Sequence, residues 1–94
     1  MLTYLVQRAI PPAFRFEDPA ILSQHARWAL DTYRKVGANW LGGLITDDGM
    51  FSLVVTEREQ DLHEYTRILG FDEREMVLRR VLQMNGPSFA GPQS

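Results

Sequence analysis

The sequence predicts an α+β domain with the order β-α-β-β-α-β, on three observations. A run of β-forming residues opens the chain and stops at Pro11-Pro12. Two stretches with helical apolar spacing follow, each closed by a glycine, Gly37 and Gly70. Between them, Asp47-Asp48-Gly49 is a hairpin signal joining two more β-rich runs. The length, 94 residues, allows one such unit, since domains usually run to roughly 100–150 residues. A chain of this size buries only about 60–65% of its unfolded surface. Its core is thin, and a self-associating surface would help it.

The first strand is expected over Leu2–Ile10, because proline cannot continue a ladder. Alternation puts Tyr4, Val6, Arg8 and Ile10 on one face and Thr3, Leu5, Gln7 and Ala9 on the other. Phe14 and Phe16 lie in the loop that follows. Asp18-Pro19 starts a helix: Asp is a good N-cap and Pro fits the first helical position. Leu22, Ala26, Ala29, Leu30, Tyr33 and Val36 form its apolar stripe. Asn39–Thr46 reads as a strand in which Gly42-Gly43 signals a bulge or a close approach. Met50–Thr56 is apolar on both faces, so it is placed centrally or against a partner. Arg58–Leu69 is the second helix, with Leu62, Tyr65, Thr66 and Leu69 inward. The acidic loop Phe71–Glu75 leads to a last strand over Met76–Met84.

This order in about 85 residues reads as a ferredoxin-like sandwich, two helices on one face of an antiparallel sheet. The domain is residues 1–85, and 86–94 form a Gly/Pro/Ser tail. With the third and last strands apolar on both sides, the second sheet face would be a patch larger than monomers tolerate. A homodimer is therefore expected, two sheets meeting face to face around a barrel-like interior, alone or in a ring of dimers.

Composition narrows the function classes. At 45% hydrophobic and 23% charged, this is ordinary globular material. Ten basic and twelve acidic residues give a net charge of −2, which argues against a nucleic-acid partner. The absence of cysteine removes disulfides, thiolate zinc sites, iron–sulfur clusters and a Cys nucleophile. No signal-peptide pattern or membrane-length apolar run is present, so a cytoplasmic protein without a membrane partner is expected. No Gly-rich loop opens a helix, and no organic cofactor is expected.

A few side chains carry possible chemistry. His25 lies one position off the first helix's stripe, and His63 lies on the flank of the second helix, within Asp61-Leu62-His63-Glu64. Histidine serves as a metal ligand or as an acid–base group near neutral pH. Neither sits in a diagnostic spacing, and boundary histidines are the simpler reading. Arg8 and Arg80 interrupt apolar strands. A charge inside a sheet must be paired, at an edge, or lining a cavity, where it can hold a carboxylate or a phenolate. Tyr4, Trp28, Trp40, Phe51 and Tyr65 are either plain core or the walls of an apolar pocket. Asp47-Asp48 is explained by its turn, and Ser52 has no histidine near it in sequence.

Two resemblances add to this. Tyr4-Leu5-Val6-x-Arg8-x-x-Pro11, Gly37-x-x-Trp40-Leu41, Phe51-x-Leu53, Gly70-Phe71 and Val77-x-x-Arg80-Val81-Leu82 resemble a family of small bacterial ferredoxin-like domains. That family is named for a nickel-binding member and is otherwise of unknown function. The resemblance spans most of residues 3–84, with Ser52 where the family commonly has Cys. It implies a dimeric α/β-barrel and, in one branch, nickel. A small binding protein for Ni(II) or another divalent metal follows as the first expectation. Its ligands would be His25 and His63, the only imidazoles in the chain, aided by Asp61 or Glu64. Met1-Leu2-x-Tyr4-Leu5-Val6-x-Arg8, Phe51-Ser52-Leu53-Val54-Val55 and Asp61-Leu62-His63-Glu64 are similar to small muconolactone isomerases. This second resemblance implies a cofactor-independent isomerase or cyclase acting on a small oxygenated substrate, with His25 as base and Arg8 or Arg80 as the cation.

Overall fold

The structure, a computed structural model, describes residues 1–85. The expected tail, 86–94, lies outside the described residues. Four strands, β1 (Leu2–Arg8), β2 (Asn39–Thr46), β3 (Gly49–Thr56) and β4 (Val77–Arg80), join two helices, α1 (Pro19–Lys35) and α2 (Gln60–Ile68). The sheet runs β2-β3-β1-β4, with every neighbouring pair antiparallel. This small α+β arrangement is compatible with a ferredoxin-like fold.

Three expected boundaries are corrected. β1 stops at Arg8 rather than Ile10, because its partner β3 has turned away beyond the Arg8–Met50 pair. α2 starts at Gln60 rather than Arg58; its first turn is tight, with Asp61 and Leu62 N–H groups donating to the Arg58 and Glu59 carbonyls. β4 covers Val77–Arg80 instead of Met76–Met84, and it is an edge strand. Its ladder runs out with β1: after the Tyr4–Arg80 pair a single bond remains, Val81 N–H to the Thr3 carbonyl at 2.9 Å. Leu82 beyond it is 89% exposed.

The core forms where strand alternation meets helical periodicity. Tyr4, Val6 and Val54 point from the sheet at Ala29 and Tyr33 of α1 and at Leu62 and Tyr65 of α2. The Tyr33 and Tyr65 rings stack at 3.5 Å between centroids, tying the two helices together. Asp18 caps α1 by accepting the Ala20 N–H at 2.9 Å, as its sequence signal predicts.

The stripe of α1 is buried only toward its C-terminal end. Ala29, Thr32 and Tyr33 are covered, whereas Ile21, Leu22 and Trp28 are exposed. Leu22 thus leaves the expected core and Thr32 joins it. Below this raised half of the helix lie small residues. Gly42 holds the bulge after Trp40 at φ +148°, a conformation L side chains rarely adopt. At Gly43 a Cβ would come within 2.9 Å of the Phe51 carbonyl and 3.7 Å of Ser52 Oγ. The missing side chain opens a gap between α1 and the β2–β3 end of the sheet.

The opposite sheet face is uncovered. Leu5 pairs with Leu53, and Leu44 with Phe51, around a broad apolar depression of about 400 Å³. Among the described residues, no helix is long and apolar enough to cross a membrane.

Candidate functional site

The gap under α1 is a groove of about 450 Å³. Leu22, His25 and Ala26 form its helical wall, Phe16 its entrance side, and Trp40, Met50 and Ser52 much of its floor. Next to it lies a void of about 20 Å³, lined by Arg8, His25, Met50, Ser52, Tyr65 and Phe71 among others. That is room for roughly one water molecule. His25, Met50 and Ser52 border both spaces, so the void adjoins the groove.

Arg8 lines the void. β1 alternation turns it to the helix side, and register places it opposite Met50. One terminal nitrogen, Nη2, donates to Thr66 Oγ1 at 2.6 Å and to Met76 Sδ at 3.4 Å; Nη1 donates to the Tyr33 hydroxyl at 3.4 Å. The guanidinium carbon lies 5.1 Å from the Tyr65 ring centroid and 5.8 Å from that of Phe71, within cation–π range. Among the described residues no carboxylate pairs with it. Its buried Nε–H has no acceptor. Asp72 and Glu75 line a recess of about 30 Å³ beside it, but Asp72 is forked onto Arg74 at 3.0 and 3.1 Å.

His25 stands at the junction of groove and void. Phe14 covers its ring at 4.7 Å between centroids, and Trp28 lies at 6.0 Å. Burial against these apolar groups pushes its pKa below the usual histidine value. At neutral pH it is therefore an uncharged imidazole that can accept a proton. Tyr65 shows the converse response. Burial and the neighbouring Tyr33 raise its phenol, outweighing the opposing pull of Arg8, so it stays protonated. Trp40 contributes a second unpartnered donor, a buried Nε1–H with no acceptor.

The structure thus brings His25 and Trp40 to the groove and His25, Arg8 and Tyr65 to the adjoining void, while the Phe51 side chain, opposite in parity to Met50 and Ser52, belongs to the open sheet face. It leaves three further expected site residues elsewhere. Arg80 pairs with Tyr4, four residues or about 13 Å along β1 from Arg8, and is exposed at the sheet edge. Tyr4 is core. Trp28 is 46% exposed and reaches the site only through its contact with His25.

The residues expected to hold a metal are engaged separately. His63 lies 3.9 Å from both Glu59 and Glu73. Asp61 is buried and accepts from Thr56 Oγ1 and Arg58 Nη2, each at 2.7 Å, while Glu64 is exposed. Burial tends to raise the Asp61 carboxyl, but these bonds and the Arg58 charge win and hold it below its usual range. Among the described residues no three His, Asp or Glu side chains form a group able to hold a metal ion.

Comparison with known proteins gives no match: no family model, curated protein or solved structure matches this chain.

Met50, Leu22 and Phe16 line the groove although sequence reasoning gave them no site role; Ser52 and Gly43 also line it, the first set aside there as a nucleophile and the second read only as a bulge or close approach. No hydrogen bond links Ser52 to His25 among the described residues, so it lines the space rather than forming a nucleophile pair. The available signal was strand parity: Met50 and Ser52 share a face with Val54, and the β1–β3 register brings that face under Arg8.

Proposed function

We propose that this chain binds a small oxygenated molecule with an apolar body in the groove under α1. In this reading it works as a cofactor-independent isomerase or cyclase, in which His25 takes a proton from one position of the bound molecule and returns it at another. One observation carries the reading. His25, uncharged at neutral pH, borders both the apolar groove and the adjoining void. A general base needs that placement, uncharged and within reach of a bound substrate. Trp40 lines the floor of the groove, so its indole N–H signal reports on a molecule bound there.

A neutral probe, 2-naphthol, tests the groove. Titration followed by NMR is expected to move the Trp40 indole N–H signal downfield in a saturable way, with a Trp28→Phe variant identifying which indole is which. A Trp40 signal unmoved up to millimolar probe would sink the reading.

The same proposal includes a second copy of the chain packed on the open sheet face. An apolar patch repeated on an identical chain complements itself about a two-fold axis. Leu44 is 68% exposed on that face. Sedimentation velocity is expected to show a dimer that Leu44→Asp converts to monomer; a wild-type monomer would remove this part.

A further inference from the structure

We propose that Ser52 is a second catalytic residue of this site, and that the substrates are neutral, enolisable carbonyl compounds whose oxygen accepts a hydrogen bond from the Ser52 hydroxyl while His25 takes the proton from the neighbouring carbon. The inference rests on the groove reading above. It adds the chemical class of the substrate and a residue without a role in that reading.

Three observations meet at Ser52. The first is place. On β3 its parity with the core residue Val54 turns its side chain toward the helices, and it lines both groove and void. His25 lines the same two spaces from α1. A molecule at their junction has an imidazole on its helix side and a hydroxyl on its sheet side.

The second is freedom. Among the described residues, the buried polar side-chain atoms without a partner are Arg8 Nε and Trp40 Nε1. Ser52 Oγ makes no hydrogen bond there either, so it keeps accessible surface. Gly43 is its cross-strand neighbour, and a Cβ at that position would stand 3.7 Å from the Ser52 oxygen. The lack of a side chain at Gly43 leaves the hydroxyl uncovered.

The third is charge. No acidic or basic side chain lines the groove, where His25 is uncharged at neutral pH; Arg8 lines the void and not the groove. An ionic ligand would leave water with no opposite charge to meet it in the groove, which favours a neutral one. A neutral imidazole offers a lone pair to a proton, and a hydroxyl offers its O–H to an oxygen. The substrate that fits both carries an acidic C–H next to a carbonyl, at one end of an apolar body.

In this step the His25 lone pair takes the proton on the carbon next to the carbonyl. The C–H electron pair becomes a carbon–carbon π bond, and the carbonyl π pair moves to oxygen. The Ser52 O–H donates to that oxygen as its charge grows. An interaction that strengthens in this way lowers the barrier rather than only tightening binding. The imidazolium then returns the proton, to the same carbon or to one conjugated with it.

The test uses 2-tetralone, a neutral bicyclic ketone, incubated with the full chain in deuterated buffer at neutral pH. NMR follows the loss of its benzylic protons next to the carbonyl. Wild type is expected to speed their exchange above the buffer rate in a saturable way, and His25→Leu to abolish that acceleration. Ser52→Ala is expected to lower the saturated rate by about tenfold or more, while the half-saturating concentration changes by less than about threefold. Ser52→Thr keeps a hydroxyl and is expected to restore most of the rate. Circular dichroism monitors folding of each variant. A Ser52→Ala rate within about twofold of wild type, or an equal loss in Ser52→Ala and Ser52→Thr, overturns the role of the Ser52 hydroxyl and leaves His25 and the groove standing. A wild type no faster than buffer, or acceleration that survives in His25→Leu, overturns the His25 reading and this one together.

Discussion

Two charges are drawn out of water on the helix-covered side of this sheet, and the fold treats them differently. Asp61, at the start of α2, is fully buried and fully answered, by the Thr56 hydroxyl and the Arg58 guanidinium. Arg58 remains largely exposed, so the pair keeps one foot in solvent. Arg8, at the far end of β1, has neutral partners only and one buried N–H with none. The first is a structural device: it fixes the link between β3 and α2, where Thr56 Oγ1 also lies 3.2 Å from the Arg58 carbonyl, an alternative acceptor for its one hydrogen. The second, only partly buried, is held by neutral groups and keeps one buried N–H without an acceptor. The fold thus answers its fully buried ion with an opposite charge and its partly buried one without.

Stability measurements can break that comparison, and the largest effect is expected at Asp61. Asp61→Ala removes two short charge-assisted bonds and leaves Thr56 with one acceptor. The loss should be about 2 kcal/mol by urea unfolding, toward the lower end for a buried ion because Arg58 can reach water. Arg8→Met should change stability by no more than about 1 kcal/mol. It loses one good hydrogen bond and the aromatic contacts, but it also removes an unsatisfied donor and a partly buried charge. Thr66 keeps its bond to the Leu62 carbonyl at 2.9 Å without Arg8. If Arg8→Met costs as much as Asp61→Ala, Arg8 is a structural residue and the comparison fails.

The contrast between these two residues also shows how much the sequence reveals. The element order, the Asp18 cap and the central position of β3 were legible, because each depends on local pattern. The bulge at Gly42 and the close approach at Gly43 were legible as alternatives, and both occur. The ends of β1 and β4 were not, since a strand stops where its partner's ladder stops, and that is a property of the pair. Arg8 and Arg80 are equivalent by sequence, each a cation in an apolar strand. Only register separates them, placing Arg80 at an exposed edge and Arg8 beneath two helices. The groove was invisible for a similar reason. It depends on the first half of α1 standing away from Gly43 and Ser52, although Ile21 and Leu22 there are as apolar as the buried half.

The smallest expected effect lies in pH dependence, and it sharpens the same comparison. Both Asp61 and His25 have lowered pKa values in the fold, for opposite reasons. Asp61 is lowered because its charged form is bonded, against the pull of burial. His25 is lowered because burial disfavours its charged form. For either group the folded state binds a proton less readily than the unfolded chain, so stability falls with acid. The windows differ. The Asp61 contribution is complete above the ordinary carboxyl value of 3.8 and is lost as pH falls through its lower folded value. The His25 contribution is complete above 6.5 and declines as pH falls below that, levelling off beneath its own folded value. His25→Leu should therefore flatten the stability profile between roughly pH 7 and 5 by less than about 1 kcal/mol, leaving the more acidic loss unchanged. His63 is present in both proteins, so their difference isolates His25. Paired urea melts across that range make the measurement. A His25→Leu profile that parallels wild type would mean that His25 is freely solvated and does not stand as an uncharged base beside Arg8.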